Sequence, residues 1–228
     1  MFESYMADSI LARAIKNKKI SVKFYNPRDF TNDKHHKVDD RAYGGGPGMV
    51  MYAEPILRAV EKLKIKSEKL KIIILSPAGK KFTNKEASLL AKRRGDIVLI
   101  SGRYEGIDAR VKKILKAEEY SIGDYVLTGG ELPAMVVIDA VARQIKGVLG
   151  KFESVEENRL SSSEVYTRPE ILKYKGKKYR VPKVLLSGHR KKIEEWKSKT
   201  KKPIIYPPKF WRTKFRRGSN LQQKSPAQ

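Results

Sequence analysis

Short apolar runs alternate with segments in which apolar residues recur at helical spacing. The apolar runs predict strands and the amphipathic segments predict helices. Strands are expected at 20–25, 71–76 and 96–100, and helices at 1–14, 54–63, after Asn84, around 107–115 and at 134–142. Because this alternation is typical of βαβ units, it predicts an α/β fold with a parallel sheet covered by helices. The 134–142 segment is apolar nearly all round, so this helix is expected to be buried.

A change in composition divides the chain. We predict a first domain over residues 1–146, a mobile linker over 147–168, and a basic second domain over 169–228. The second domain is expected to contain a helix at 188–199, and from Lys201 the chain is basic, aromatic and rich in proline. This tail suits stacking on unpaired bases with phosphate contacts, and it equally suits a solubilising role.

Three glycine-containing segments follow apolar runs, at 75–79, 101–106 and 121–132. Glycine lets a ligand or another chain segment approach the backbone closely. Ligands of open α/β folds bind beyond the carboxyl ends of the strands, so we expect these segments to form one pocket. Neither 102–106 nor 123–130 has the spacing of a dinucleotide-binding loop, and the Asp39–Gly48 segment lacks the Lys-Ser/Thr ending of a P-loop. The Asp39–Gly48 segment fits a phosphate cradle or a tight turn equally well.

The charge balance indicates a polyanionic partner. The chain carries 50 Lys and Arg against 25 Asp and Glu, a net charge of +25. Residues 151–228 hold 22 of the basic and 7 of the acidic residues, a net charge of +15. No apolar run approaches the ~18 residues of a spanning helix, and no signal peptide opens the chain, so we expect a cytoplasmic protein with no membrane contact. A basic ribosomal or RNA-chaperone protein would explain the charge but not the glycine segments.

The residue types present in the chain exclude several kinds of catalytic and metal site. There is no Cys, which excludes disulfides, zinc–thiolate sites and a cysteine nucleophile, and the three His residues are too scattered for an ordinary metal site. Seven carboxylates could act as bases, but most are expected to form caps and turns. Glu105 and Asp124 lie in the predicted pocket and are favoured; the others are Asp39, Asp40, Asp108, Glu118 and Glu119.

Several motifs taken together resemble one known family. They lie at 38–49, 75–79, 102–108, 121–135, 166–170 and 185–189. In this order, over roughly residues 2–198, they resemble bacterial tRNA (guanine-N1)-methyltransferases, the TrmD family of the SPOUT class. The resemblance implies a trefoil-knotted parallel-sheet domain and a small, mainly helical C-terminal domain that grips tRNA.

The same resemblance implies that S-adenosylmethionine is bound by the three glycine segments. The implied cofactor-binding residues are Leu75, Ser76, Pro77, Gly79, Gly102, Tyr104, Glu105, Gly106, Ile122, Gly123, Asp124, Tyr125, Val126, Leu127, Gly129, Gly130 and Pro133. It also implies a homodimer with active sites shared between subunits, in which the 39–48 segment and the linker complete the partner's pocket.

For catalysis, the resemblance implies methyl transfer to N1 of the guanine immediately 3′ of the anticodon. This nitrogen carries a proton, so the reaction needs a base and a cation that stabilises the charge developing on O6. The family's arginine falls on Arg143, and its carboxylate base falls on Asn158, with Glu157 adjacent. An amide cannot accept the proton as a carboxylate does, so either Glu157 substitutes or the protein is an impaired relative that binds tRNA without turnover. No protein metal site is predicted, and assistance by Mg²⁺ is left open.

The beginning of the chain also differs from the family pattern. Relatives have an apolar strand before the first helix, and the sequence given starts at that helix. Either the start is misassigned, or the sheet lacks a strand and leaves apolar surface exposed at its edge.

Overall fold

A computed structural model describes residues 2–63, 70–149 and 164–200. The chain divides into two compact units, Met1–Val155 and Glu156–Gln228. The boundary falls inside the range predicted as a linker. Most of that range and the tail from Lys201 lie outside the described residues.

The first unit follows the predicted alternation of helices and strands. Its elements are α1 (Phe2–Met6), α2 (Ser9–Lys16), β1 (Asp39–Arg41), β2 (Met49–Met51), α3 (Ala53–Lys62), β3 (Lys71–Lys81), α4 (Asn84–Lys92), β4 (Ile97–Ser101), α5 (Ala109–Leu115), β5 (Glu118–Ser121) and α6 (Glu131–Ala142). A short 3₁₀ helix at Pro27–Phe30 lies between α2 and β1.

A three-stranded parallel sheet forms the centre of this unit, as predicted. Its order is β4-β3-β5, so the longest strand lies in the middle. Side chains alternate across a strand, and here both faces of β3 are covered. Ile73 and Leu75 pack with residues of α4 and α6, whereas Ile74 packs with residues of α3 and α5. The sheet is therefore the middle layer of three.

Two features of the N-terminal region differ from prediction. The single helix expected over 1–14 is interrupted, because Ser9 has a φ of +50° and a new helix starts there. The strand expected at 20–25 is absent, because no described strand lies beside these residues to complete a ladder. Ile20 and Val22 still pack against a buried apolar cluster. Its members are Met6, Leu11, Ala14, Ala142 and Val148. Phe24 stacks on Phe2 and remains about half exposed.

Helix α6 is only partly buried, which corrects the sequence prediction. Ala134 and Val137 pack into the core at 2% exposure, but Leu132 and Val136 are 46% and 47% exposed. The apolar residues around this helix therefore serve two surfaces, one against the sheet and one open to solvent. Strand β5 was also missed, because it has four residues and begins with two glutamates.

The described part of the second unit combines a hairpin with helices. Its elements are β6 (Ile171–Tyr174), β7 (Lys177–Arg180), α7 (Lys183–Leu186) and α8 (Arg190–Lys199). The two strands are antiparallel partners. The sequence predicted the last helix but not the hairpin.

The contact of Gly79 with β5 leads to a stability prediction. A Cβ at Gly79 would lie 2.6 Å from Tyr120 N and 2.7 Å from Glu119 C, both backbone atoms. Because these atoms cannot move without distorting the sheet, we expect Gly79→Ala to lower the free energy of unfolding by about 3 kcal/mol in urea denaturation.

Gly46→Ala is the control for this prediction. Gly46 has a φ of +111° with nothing within 4 Å of a Cβ, so only backbone strain applies and the loss should be about 1 kcal/mol. Equal losses in the two variants would contradict a steric role for Gly79.

Candidate active site

The two glycine loops that follow β4 and β5 contact each other through their backbones. The Gly130 amide donates a hydrogen bond to the Gly102 carbonyl at 2.8 Å, and Arg103 forms an isolated antiparallel bridge with Gly129. The Ser101 hydroxyl donates to the Gly130 carbonyl at 3.0 Å. Since β4 and β5 flank the central strand, these contacts bring the loops together across its carboxyl end.

Gly130 permits this close approach. Its φ is −81°, so the backbone conformation itself does not require glycine. A Cβ at this position would lie 2.7 Å from Ser101 Cα and 2.9 Å from Gly102 N. The requirement is therefore steric, because any side chain would push the two loops apart.

An ion pair joins the same two loops on their outer side. Arg103 Nε lies 2.6 Å from Glu131 Oε1, and this hydrogen bond and charge raise the pKa of Arg103 above its ordinary value. Glu131 begins α6, where a negative charge is favoured by the helix dipole. The pair links the 102–106 loop to the start of that helix.

Strand β2 is attached to the 102–106 loop, which the sequence analysis missed. The Glu105 amide donates to the Met49 carbonyl and the Met51 amide donates to the Gly106 carbonyl, both at 3.0 Å. Gly48 has a φ of +89°, and a Cβ there would lie 2.6 Å from Glu105 Cγ. The apolar run Met49-Val50-Met51 directly after the glycines was the signal that could have identified this strand.

The 75–79 segment is part of a strand, not a loop as predicted. Strand β3 continues to Lys81, and its register against β5 shifts between Leu75 and Lys80. Leu75 pairs with both Ser101 and Tyr120, so it lies between the strands that lead into the two glycine loops. All three predicted segments thus lie at one edge of the sheet, with Ser76, Pro77 and Gly79 in the irregular part of β3.

Several predicted cofactor-binding side chains are accessible at this edge. Tyr104, Tyr125, Val126 and Leu127 are exposed, and Val126 reaches 80%. A Cβ at Gly106, which has a φ of +128°, would have nothing within 4 Å. Ile122, Gly123 and Pro133 are half-buried beside them. Open backbone next to exposed apolar side chains fits a nucleoside-like ligand.

Most of the candidate carboxylates have hydrogen-bond or ion-pair partners, and Asp124, one of the two favoured carboxylates, is among them. Asp108 caps α5 and pairs with Arg110, which lowers its pKa to about 2. The others with partners are Asp40 with Tyr52, Glu118 with Lys71, Glu119 with Lys112, and Asp124 with Lys81 at 3.0 Å. Within the described ranges, no ion pair engages Glu105.

Arg143 lies at the opposite end of α6 from the glycine loops. It is half-buried and forms the C-cap of the helix, and no described carboxylate pairs with its guanidinium. At 1.5 Å per residue, the thirteen residues from Gly130 place Arg143 about 20 Å from the loops. The structure therefore does not bring this arginine to the glycine loops of the same chain.

A hydrogen-bonded pair of polar side chains, Tyr5 and Asp139, lies near Arg143. Tyr5 donates a hydrogen bond of 2.6 Å to Asp139 Oδ2, one helical turn before the arginine. This bond to the carboxylate raises the pKa of Tyr5 to about 12. Asp139 is thereby engaged by α1 and is not the partner of Arg143.

The two residues predicted at the base position, Glu157 and Asn158, lie outside the described residues.

The described residues contain neither a cluster of metal ligands nor a helix that could cross a membrane. Over residues 2–63, 70–149 and 164–200, no three His, Cys, Asp or Glu side chains are grouped as metal ligands. Over the same ranges, no helix has the length and apolarity needed to cross a bilayer.

Comparison with known proteins agrees with the resemblance seen in the sequence. The chain is 48% identical over 204 residues to a tRNA (guanine-N(1)-)-methyltransferase of Pseudoalteromonas atlantica, covering 87% of this chain and 75% of the relative. A protein of the same name from Marinomonas is 46% identical over 205 residues, covering 88% and 80%. One from Campylobacter jejuni is 45% identical over 202 residues, covering 87% and 86%.

The family comparison extends over nearly the whole chain. The family model described as tRNA (Guanine-1)-methyltransferase TrmD matches residues 1–217, which cover the whole first compact unit and the second as far as residue 217. Together with the relatives above, this match shows that the chain belongs to the tRNA (guanine-1)-methyltransferase family and is a methyltransferase.

Proposed function

We propose that this protein methylates N1 of the guanosine immediately 3′ of the anticodon in tRNA, with S-adenosylmethionine as methyl donor. The observation that carries the proposal is the backbone contact between Gly130 and Gly102 at the carboxyl end of the sheet, in a chain of this family. The family relationship also supports the trefoil knot, the C-terminal tRNA-binding domain and a cytoplasmic location.

The residues at the sheet edge fit the methyl donor. When bound, S-adenosylmethionine supplies a methyl group on a positively charged sulfur. Backbone groups of Gly102–Gly106 and Ile122–Gly130 would hold its polar atoms, and the exposed side chains of Tyr125, Val126 and Leu127 would cover its apolar parts. Leu75–Gly79 would form the remaining wall from the irregular part of β3.

The chemistry proposed is one direct displacement. A base would take the guanine N1–H proton and N1 would take the methyl group, so that the donor would leave as the neutral thioether S-adenosylhomocysteine. As N1 loses its proton, negative charge develops on O6, and Arg143 would stabilise it. Glu157 or Asn158 occupies the base position, and only the carboxylate of Glu157 can accept the proton.

The position of Arg143 supports a homodimer with shared active sites. Helix α6 separates this arginine from the glycine loops of its own subunit by about 20 Å, too far to act on a methyl group held there. The exposed Leu132 and Val136 lie one turn apart on α6 and offer an apolar surface for a second copy. Association through this helix would allow the arginine of one subunit to serve the loops of the other.

A second function has one specific observation in its favour. Asn158 occupies the family's base position, and a relative without a competent base would bind tRNA without turnover. The two functions differ in product and not in binding, so a chemical assay separates them.

The first test is methyl transfer to a tRNA transcript. We expect the full-length protein to incorporate one labelled methyl group per tRNA at the guanine 3′ of the anticodon. A transcript with adenine at that position is the control and should accept none. Tight tRNA binding with no incorporation would favour the impaired relative, and incorporation at another site would contradict the proposal.

The second test identifies the base. If Glu157 is the base, Glu157→Gln should lower the single-turnover rate by ~10²–10⁴-fold with tRNA binding nearly unchanged. Glu156→Gln is the matched control, because it makes the same change one residue away. If Asn158 instead marks an impaired site, Asn158→Asp should raise the rate and Glu157→Gln should have little effect.

A further inference from the structure

The hairpin formed by β6 and β7 is an exposed and strongly basic feature of the second unit. Its ten residues, Ile171–Arg180, include five cations and no acidic residue. Ile171 is half-buried, and the other nine residues are exposed. None of the five cations forms an ion pair with another described residue. The charge of this hairpin therefore faces solvent without compensation.

Strand register divides these side chains between two faces. Lys173 is the partner of Lys178, and Ile171 is the partner of Arg180, which places these four residues on one face. We call this the basic face. The opposite face carries Leu172, Tyr174, Lys177 and Tyr179.

The basic face contains an unfavourable pair. Side chains directly opposite each other on an antiparallel pair have Cβ atoms about 4.5–5.5 Å apart, and like charges there are destabilising. Lys173 and Lys178 occupy such positions. Arg180 follows Lys178 two residues along the strand, so its Cα lies about 7 Å away. Three cations are thus concentrated where they repel one another.

The turn of the hairpin holds Lys175 in an unfavourable backbone conformation. Lys175 and Gly176 have φ values of +49° and +74°, as in a type I′ turn. The first position of this turn favours Asn, Asp or Gly, and a lysine there adopts a left-handed conformation that is unfavourable for it. Its ammonium lies 5.5 Å from the centre of the Tyr174 ring. The tip therefore presents a cation despite the backbone strain.

We propose that the basic face of this hairpin binds the phosphate backbone of tRNA, a contact that rests on the proposed function. Clustered cations on a short, hydrogen-bonded hairpin form a preorganised site for a chain of phosphates, and bound phosphates would remove the repulsion between Lys173 and Lys178. Anionic lipid would also attract the charge. RNA is favoured because the family's relatives are named for tRNA and because the apolar and aromatic side chains lie on the opposite face.

Neighbouring lysines on opposite faces provide a matched pair of variants. Lys178→Gln removes one charge from the basic face, and Lys177→Gln removes one charge from the other face. At 0.1 M salt, we expect Lys178→Gln to weaken tRNA binding by the full-length protein by roughly threefold and to reduce the salt slope by about 0.7–0.9. Lys177→Gln should change the affinity by less than about twofold.

Thermal unfolding without RNA provides a second readout. Lys178→Gln relieves a like-charge pair and should raise Tm while it weakens tRNA binding, whereas Lys177→Gln should leave Tm nearly unchanged. Equal effects of the two variants on affinity would overturn the proposal, because net charge alone would then account for them. Unchanged tRNA affinity in Lys178→Gln would also overturn it.

Two controls separate this proposal from its alternatives. Phosphatidylserine vesicles test the lipid alternative: binding that is lost in Lys178→Gln, with tRNA affinity intact, would assign the face to lipid and overturn the proposal. Single-turnover methyl transfer should be unchanged in Lys177→Gln, because Lys177 lies on the face opposite the basic one. If the wild type binds tRNA through this face but transfers no methyl group, the proposed function fails while the hairpin contact stands.

Discussion

The candidate site depends on the backbone contact between Gly130 and Gly102. It joins loops that begin at the two outer strands of the sheet, and a Cβ at Gly130 would leave only 2.7 Å to Ser101 Cα. Because the ion pair between Arg103 and Glu131 spans the same junction, the contact also sets where α6 begins. The proposed pocket would therefore be lined mainly by backbone, which explains why its position depends on glycines more than on charged side chains.

Helix α6 connects the glycine loops to the core of the first unit and to Arg143. It starts at the glycine loops, packs Ala134 and Val137 against the sheet and ends at Arg143. Its length holds the arginine away from the loops of the same chain, and its outer side leaves Leu132 and Val136 exposed. The proposed dimer accounts for both features, because a second copy would cover the apolar side chains and exchange the arginines.

Much of the fold could be predicted because its core elements are long and periodic. The sheet around β3 and the helices α3–α6 follow from such patterns, and the predicted glycine segments do lie at one edge. Strand β5 and the β6–β7 hairpin were missed because each strand has only four residues and half of the residues in the three strands are charged, so they lack the apolar alternation of a half-buried strand. The strand predicted at 20–25 failed because a strand needs a hydrogen-bonding neighbour, which its own residues cannot reveal. The role of Gly130 also depends on a long-range contact that local spacing does not show.

The central claim is that backbone groups of the joined loops hold the methyl donor. Amide hydrogen exchange of the full-length protein with and without S-adenosylmethionine tests this most directly. We expect slower exchange at Gly102–Gly106 and Ile122–Gly130, with no change at Gly176, which lies in the open turn of the β6–β7 hairpin. Protection confined to other parts of the chain, or no protection at a saturating ligand concentration, would contradict this account.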